Sequence, residues 1–290
     1  MRINTNVSSL VAQEANKNTN YNISSSLEKL STGHKINKAS DDASGLAIAD
    51  KLRTQANGLN QAVANGNSAI TLTQIADKAM AEQSNILDVV KQKLIQASTA
   101  TTSAAGVEAI GKDISKLLDQ LNNIASQTTY NGTTLLQQSA GGSDSAGQLT
   151  FQMGTLAADV IQTAAGVASN DSGLSLDVMH ASALTWTAAA DSAAGLQSAA
   201  RVRLTDVDAA LTTLNGWRAD FGSTQNQLES SVRNLMTQVT NTKAAESVIR
   251  DVDYAQESAN FNKQNIIAQA GTYAISQANA ASQNVMRLLQ

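Results

Sequence analysis

The sequence predicts a mainly α fold: a long antiparallel helical bundle or coiled coil with a small β-hairpin region in the middle of the chain. Three observations carry that expectation. Apolar residues recur in alternating steps of three and four over long stretches at both ends. The 290 residues contain no proline, so no helix interior is broken. Glycine-rich and β-prone segments interrupt the helical pattern only near the middle.

The longest register runs Leu204, Val207, Leu211, Leu214, Arg218, Phe221, Gln225, Leu228, Val232, Leu235, Val239, Thr242. It predicts one long helix with a narrow coiled-coil seam. A second runs Leu52, Ala56, Leu59, Val63, Gly66, Ile70, Thr73, and a third Val107, Ile110, Ile114, Leu117, Leu121, Ile124. Three seams imply helices that cover one another. Composition agrees. Hydrophobic residues make up 42% but aromatics only 3%, and charged residues 15%, against roughly 25% in ordinary soluble domains. Such a chain fills many thin seams rather than one thick core. Average usage would give roughly 14 prolines. Their absence also removes slow prolyl isomerisation, which suits a chain that travels unfolded and refolds quickly.

Between the helices, residues 98–106 read as a turn joining antiparallel neighbours. Asn131-Gly132, flanked by β-prone residues, is a hairpin signal. Residues 141–145 read as a loop, and the alternation of Gln148 to Met153 as a strand. Residues 159–195 read as short β and loop elements, including 174–178.

The two ends differ from the middle of the bundle. Ile267, Gly271, Ala274, Ala278, Ala281, Val285 and Leu288 form a seam of mainly small residues. At the N-terminus, Ile3, Val7 and Leu10 make one short stripe. Ile23, Leu27 and Leu30 make another, beyond a polar segment (Glu14, Asn16, Lys17, Asn18, Asn20). Small side chains bury little area, so a lone helix of this kind is poorly stabilised. Both ends are expected to order when they pack on each other and on neighbouring copies.

Chemistry is sparse. With no cysteine there are no disulfides or thiolate metal sites. The two histidines, His34 and His180, fit no HExxH or other metal-ligand spacing. Asp41-Asp42 reads as the acidic start of the following helix. Asp251-Val252-Asp253 lacks the rest of a calcium loop. Phosphate-loop, dinucleotide and nucleophile-elbow motifs are absent. The Asn-x-Ser/Thr patterns at Asn6, Asn22 and Asn131 are expected by chance in so Asn-, Ser- and Thr-rich a chain. No enzyme activity, metal or cofactor is expected. A net charge of −4 offers nothing to a nucleic-acid backbone. No apolar run reaches the ~18 residues of a membrane span, and the opening residues lack the apolar stretch of a cleaved secretory signal.

The ends also carry words. Ile3-Asn4-Thr5-Asn6-Val7 opens the chain, followed by Leu27-Glu28-Lys29-Leu30-Ser31-Thr32-Gly33-His34-Lys35-Ile36-Asn37 and Ala39-Ser40-Asp41-Asp42-Ala43-Ser44-Gly45-Leu46-Ala47-Ile48-Ala49. The other end has Ser247-Val248-Ile249-Arg250-Asp251-Val252-Asp253-Tyr254-Ala255, then Gln269-Ala270-Gly271-Thr272, Gln277-Ala278-Asn279 and Gln283-Asn284-Val285-Met286-Arg287-Leu288-Leu289. In order and at both ends, over roughly 1–155 and 195–290, these closely resemble bacterial flagellins. The resemblance implies a hairpin-shaped subunit of the flagellar filament. Residues 1–40 and 255–290 would form a terminal coiled-coil polymerisation domain. Residues 41–137 and 196–254 would form a helical bundle, with a small variable β/loop region at 138–195. It implies a homopolymer at the cell exterior, export through the flagellum's own apparatus, an export chaperone on the C-terminal segment, and flagellar cap and junction proteins as partners.

Two departures stand out. Only about 40–55 residues separate the arms that resemble the family, so any outer domain is small or absent. Many flagellins present an Arg, a Glu and a Leu to the flagellin-sensing Toll-like receptor. Those positions read Val89, Gln92 and Lys93 here, which implies weak or no recognition. The alternatives are a hook–filament junction protein, a chemoreceptor-like signalling coiled coil, and an adhesin or secreted effector. The second expects an unbroken helical hairpin, which residues 129–195 do not suggest.

Overall fold

A computed structural model describes residues 5–137, 148–164, 166–184 and 193–288. In chain order these form α1 (Val7–Thr32), α2 (Ala43–Ala97), α3 (Ala104–Gln127), β1 (Thr129–Tyr130), β2 (Thr133–Thr134), β3 (Thr150–Gln152), β4 (Val160–Gln162), α4 (Asp177–Leu184), α5 (Ala193–Arg250) and α6 (Tyr254–Leu288). The mainly α expectation holds, with two small antiparallel ribbons in the middle, β1 with β2 and β3 with β4. The loop expected at 141–145 lies outside the described residues. The chain divides into two compact units, Gly58–Gln238 and Met1–Asn57 with Val239–Gln290.

Within Gly58–Gln238 the seams of α3 and α5 join a later stretch of α2 in one core. The register expected from Leu52 to Thr73 lies outside that cluster, with Ala56, Leu59, Gly66 and Thr73 buried and Leu52, Val63 and Ile70 half-buried. Leu72, Met80, Leu87 and Leu94 of α2 are buried in one cluster with Val107, Ile114, Leu118 and Leu121 of α3 and Val207, Leu214 and Phe221 of α5. The register of α5 is visible in burial: its apolar seam positions are buried or half-buried, and the two polar intrusions, Arg218 and Gln225, are half-buried. Arg218 has a reason to be there, since its Nε donates to Asp77 Oδ1 of α2 at 3.0 Å. Lys91 of α2 reaches Asp208 of α5 at 2.6 Å, so residue numbers rise along one helix as they fall along the other. These exposed or half-exposed pairs fix register more than they stabilise. A buried polar pin adds to them. Gln83 Nε2 donates to the carbonyls of Leu121 (3.1 Å) and Ser169 (2.9 Å), tying α2 to α3 and to the segment after β4.

The turn between α2 and α3 falls where expected. Thr102 Oγ1 donates to the Gln96 carbonyl at 2.7 Å, and Ser103 caps α3 by accepting the Gly106 N–H at 3.2 Å. At the far end of α3, Asn131 (φ 50°) and Gly132 (φ 80°) are both left-handed. They close the two-residue type I′ turn that matches strand twist.

β3 pairs with β4 through Phe151 opposite Ile161, and the ribbon lies against α2. Asn65 Nδ2 donates to the Gln152 carbonyl at 3.3 Å. A Cβ on Gly66 would stand 2.7 Å from Met153 Cε and 2.5 Å from Val232 Cγ2, and one on Gly58 would meet Thr155 Cγ2 at 2.8 Å. These two glycines make room for the ribbon.

Part of the reading of 159–195 is corrected. β4 is a short strand, but 174–178 is a turn running into α4. Asn170 and Asp171 override the β preference with local bonds: Asn170 Oδ1 accepts the Gly173 N–H at 2.8 Å and Asp171 Oδ1 the Ser172 N–H at 2.9 Å. The Leu176 N–H then returns to the Asp171 carbonyl at 2.7 Å. Asp177 opens the helix with negative charge at its N-terminus.

Two glycines in long helices should respond oppositely to alanine. Gly66→Ala must displace Val232, which is stiff at χ1, and should destabilise by about 1–3 kcal/mol. Gly216 is exposed and has nothing within 4 Å of a built Cβ. Gly216→Ala should therefore stabilise by about 1 kcal/mol. Urea unfolding of the two variants beside the parent chain checks both signs.

Candidate assembly surface

The second unit is built on the pairing of α1 with α6. On α1 its inner seam is not the most apolar face. On α1, Ser9, Thr19 and Ser26 are buried, and Ala12, Asn16, Ile23 and Leu30 are half-buried. The spacing 9, 12, 16, 19, 23, 26, 30 is a heptad register written mostly in small and polar residues. On α6 the half-buried positions Glu257, Phe261, Gln264, Ala268, Gly271, Ile275 and Ala278 keep the same spacing.

Named contacts fix how the two registers meet. Asn6 accepts the Ser9 N–H as the N-cap of α1, at 3.2 Å, and donates from Nδ2 to the Ala278 carbonyl at 3.0 Å. Asn16 lies opposite Gly271, where a Cβ would be 3.7 Å from Asn16 Oδ1. Ser26 donates to Glu257. Buried polar groups of this kind specify register at some loss of stability, and Asn16 Oδ1 has no partner within the chain.

Many of the large apolar side chains face the other way. Val7, Leu10, Val11, Tyr21 and Leu27 of α1 are exposed, as are Ile266, Ile267 and Tyr273 of α6, with Tyr21 at 77% and Tyr273 at 74%. Fully burying one such side chain is worth roughly 1.5–3 kcal/mol, against about 1 kcal/mol net for a typical internal hydrogen bond. The pair therefore has more to gain from what covers its outside than from what holds its inside.

The seam positions expected from sequence divide accordingly. Gly271 and Ala278 meet α1, and Ile23 and Leu30 are half-buried. Val7, Leu10, Leu27, Ile267, Ala274 and Ala281 are exposed. Ile3 lies outside the described residues, and for Val285 and Leu288 the helical backbone of α6 is what is described. Of the inner seam the sequence shows Ile23, Leu30, Gly271 and Ala278 and not its polar members, because a 3–4 spacing of Ser, Asn and Thr carries no hydrophobic signal.

The segment between α1 and α2 is clasped to the approach to α6. Gly33 ends α1 in the left-handed conformation (φ 75°), with the Tyr254 hydroxyl close by. The Val252 N–H donates to the Gly33 carbonyl (3.0 Å) and the Lys35 N–H to the Arg250 carbonyl (2.7 Å). His34 Nδ1 stands 3.3 Å from Asp251 Oδ1. Asp253 caps α6, its Oδ1 accepting the N–H groups of Ala255 (2.9 Å) and Gln256 (3.1 Å). The two carboxylates of Asp251-Val252-Asp253 thus have separate structural roles.

Asp41 and Asp42 divide in the same manner. Asp42 Oδ1 accepts the Gly45 N–H at the start of α2, at 2.9 Å. Asp41 Oδ2 accepts the N–H groups of Asn37 and Lys38, each at 3.0 Å. Those two backbone bonds, that of Lys38 first, hold the Asp41 carboxyl below its ordinary pKa. Its hydrogen bond to Glu28, at 2.7 Å, raises the pKa of Lys38. His180 in the other unit lies between Asp171 (3.0 Å) and Asp119 (3.3 Å). Among the described residues no cluster of His, Asp, Glu or Cys could hold a metal ion, and no helix is long and apolar enough to cross a membrane.

The terminal pair thus meets through a seam of small, polar and a few apolar residues and leaves many large apolar side chains on its outside. Comparison with known proteins gives the family. Family models for the bacterial flagellin N-terminal and C-terminal helical regions match residues 3–141 and 204–289. The chain is 36% identical over 306 residues to the flagellin of Bacillus subtilis (strain 168). It is 34% identical over 304 residues to the flagellar filament 33 kDa core protein of Treponema phagedenis, and both alignments cover the whole of each chain. A solved structure of a putative flagellar hook-associated protein from Vibrio parahaemolyticus shares the fold at a TM-score of 0.58. It covers 72% of this chain and 99% of that one at 11% identity. The chain belongs to the bacterial flagellin family: it is a structural subunit of the flagellar filament and not an enzyme. The junction-protein alternative is not favoured, since the full-length relatives are filament proteins.

Asp41 gives a pH prediction. Its folded pKa lies below the ordinary carboxylate value, so its bonds are complete above that ordinary value and are lost as pH falls through the depressed one. The amide resonances of Asn37 and Lys38 should move together at a pH below the usual aspartate range. In Asp41→Asn this joint titration should vanish.

Proposed function

We propose that the chain polymerises through the outer faces of α1 and α6, which neighbouring copies cover in the filament. The observation that carries this is the exposed apolar face of the terminal pair: α1 buries Ser9, Thr19 and Ser26 against α6, while Val7, Leu10, Val11, Tyr21, Leu27, Ile266, Ile267 and Tyr273 lie outside. The seam residues Ile3, Val7, Leu10, Ile23, Leu27, Leu30, Ile267, Gly271, Ala274, Ala278, Ala281, Val285 and Leu288 divide the work. Gly271 and Ala278 admit α1, and the exposed members meet other subunits. Residues 1–40 with 255–290 act as the polymerisation domain, 41–137 with 196–254 as the supporting bundle, and 138–195 as the variable part.

Supply of the subunit follows from the same weakness. A terminal pair with so little buried area opens readily, which suits export in an unfolded state and protection of the C-terminal segment by a chaperone. Junction proteins below and a cap above would offer the growing end the helix faces that a neighbouring copy offers inside the filament.

Recognition by the host receptor should be poor. Val89, Gln92 and Lys93 share one face of α2 by their i, i+3, i+4 spacing. Val89 and Gln92 are exposed, and Lys93 is held by Asp113 at 3.0 Å. A receptor surface suited to Arg, Glu and Leu loses its ion pairs and its apolar contact at these positions.

Ala281 is exposed on α6, so a charge there leaves the fold intact. Ala281→Glu should unfold thermally like the parent yet give no filaments by negative-stain electron microscopy after seeding or salt addition. Normal filaments from this variant would sink the assignment of the seam. For the receptor, purified monomer should activate a reporter line at least about tenfold less than a flagellin carrying the Arg, Glu and Leu. The combined V89R, Q92E and K93L substitutions should recover most of that loss, each restored contact being worth about 1 kcal/mol or more.

A further inference from the structure

The chain contains four Asn-Gly pairs, at 57–58, 65–66, 131–132 and 215–216. Asn-Gly is chemically labile because glycine leaves its amide nitrogen unshielded. Three of the pairs lie inside long helices, the first two in α2 and the last in α5. There the glycine N–H is tied to a carbonyl one turn back, and the asparagine backbone is held away from the geometry that brings that nitrogen over its own side chain. Asn65 is restrained further, since its Nδ2 donates to the Gln152 carbonyl and its Oδ1 accepts from Gln61 at 3.0 Å.

Asn131-Gly132 is different. Both residues are exposed, and a Cβ built on Gly132 meets nothing within 4 Å. The turn is held by two residue pairs, Thr129 with Thr134 and Tyr130 with Thr133, and by one further backbone bond from the Leu135 N–H to the Thr128 carbonyl at 3.1 Å. Opening so short a ladder takes far less free energy than unwinding the middle of a helix of 55 or 58 residues.

We propose that Asn131 is a site of spontaneous deamidation, with water as the co-reactant. Base removes the Gly132 amide proton, and the nitrogen attacks Asn131 Cγ. The N–Cγ bond forms, the Cγ–Nδ2 bond breaks, and ammonia leaves. Water then opens the resulting succinimide at one of its two carbonyls, giving aspartate or isoaspartate. No oxidant or reductant is involved. Aspartate keeps the type I′ turn, because Asp-Gly also accepts left-handed backbone, and adds one negative charge. Isoaspartate inserts a methylene into the main chain, so Tyr130 and Thr133 no longer meet in register. The turn thereby records the age of a subunit in a part of the bundle bordered by the buried Leu135 and Leu136.

The test is peptide mapping by mass spectrometry after days in mildly alkaline water labelled with heavy oxygen, with fragmentation that separates isoaspartate from aspartate. In the folded chain, label should enter at Asn131 about tenfold or more faster than at Asn57, Asn65 or Asn215, as a mixture of both products. In the same chain held in strong denaturant, the four rates should converge. Equal or slower labelling at Asn131 in the folded chain overturns the proposal. An unchanged preference in denaturant overturns the structural account of it.

Discussion

The structure depends on a constraint that has little to do with strength: the 3–4 spacing that keeps one face of a long helix turned toward its partner. α5 obeys it with Val207, Leu214, Phe221 and Leu228, and α1 with Ser9, Asn16, Thr19, Ile23 and Ser26. The geometry is the same and the chemistry is opposite. In the Gly58–Gln238 unit the seam removes bulky side chains from water and supplies most of the stability of the bundle. In the terminal pair it aligns Asn6 with Ala278, Asn16 with Gly271 and Ser26 with Glu257. Those contacts say where α6 must sit along α1 and contribute little to holding it there.

This division explains features that look like flaws in a single chain. Asn16 Oδ1 is buried without a partner, a loss of about 1–3 kcal/mol where desolvation is complete. A leucine there would bind α6 more tightly and accept several registers. An asparagine beside a glycine accepts few. The residues that could stabilise the pair, Val7, Leu10, Leu27 and Ile267 among them, are left for a surface outside it. On the proposed reading, stability is supplied by neighbouring copies and specificity by the chain itself.

The legibility of the sequence follows the same line. The heptads of 204–242 and 107–124 were readable because apolar side chains both mark the seam and fill it. The Asn131-Gly132 turn was readable because its backbone geometry admits few residues. The inner seam of α1 was not, since its polar residues are indistinguishable in composition from a solvated face until α6 is placed against them. The stretch 174–178 was misread because Asn170 and Asp171 act on the backbone ahead of it, and period counting does not see side-chain bonds to main-chain N–H groups. The clasp at His34 and Asp251 joins residues over two hundred positions apart, which no local pattern anticipates.

The lack of proline and cysteine belongs to this physical picture as well. Seams of small residues stabilise a helix only if it is continuous, because each interruption removes backbone bonds that a thin seam cannot replace. α2 and α5 run for 55 and 58 residues without one. Glycine is tolerated within them where something must approach closely, as the β3–β4 ribbon approaches Gly58 and Gly66. Length then lets α2 and α5 repeat their burials, bulky in places and small in others, in one register. A fold held this way shares its register along the whole helix, so a contact made at one seam position constrains its neighbours. On the proposed reading, that shared register lets one subunit's placement fix the next in a polymer.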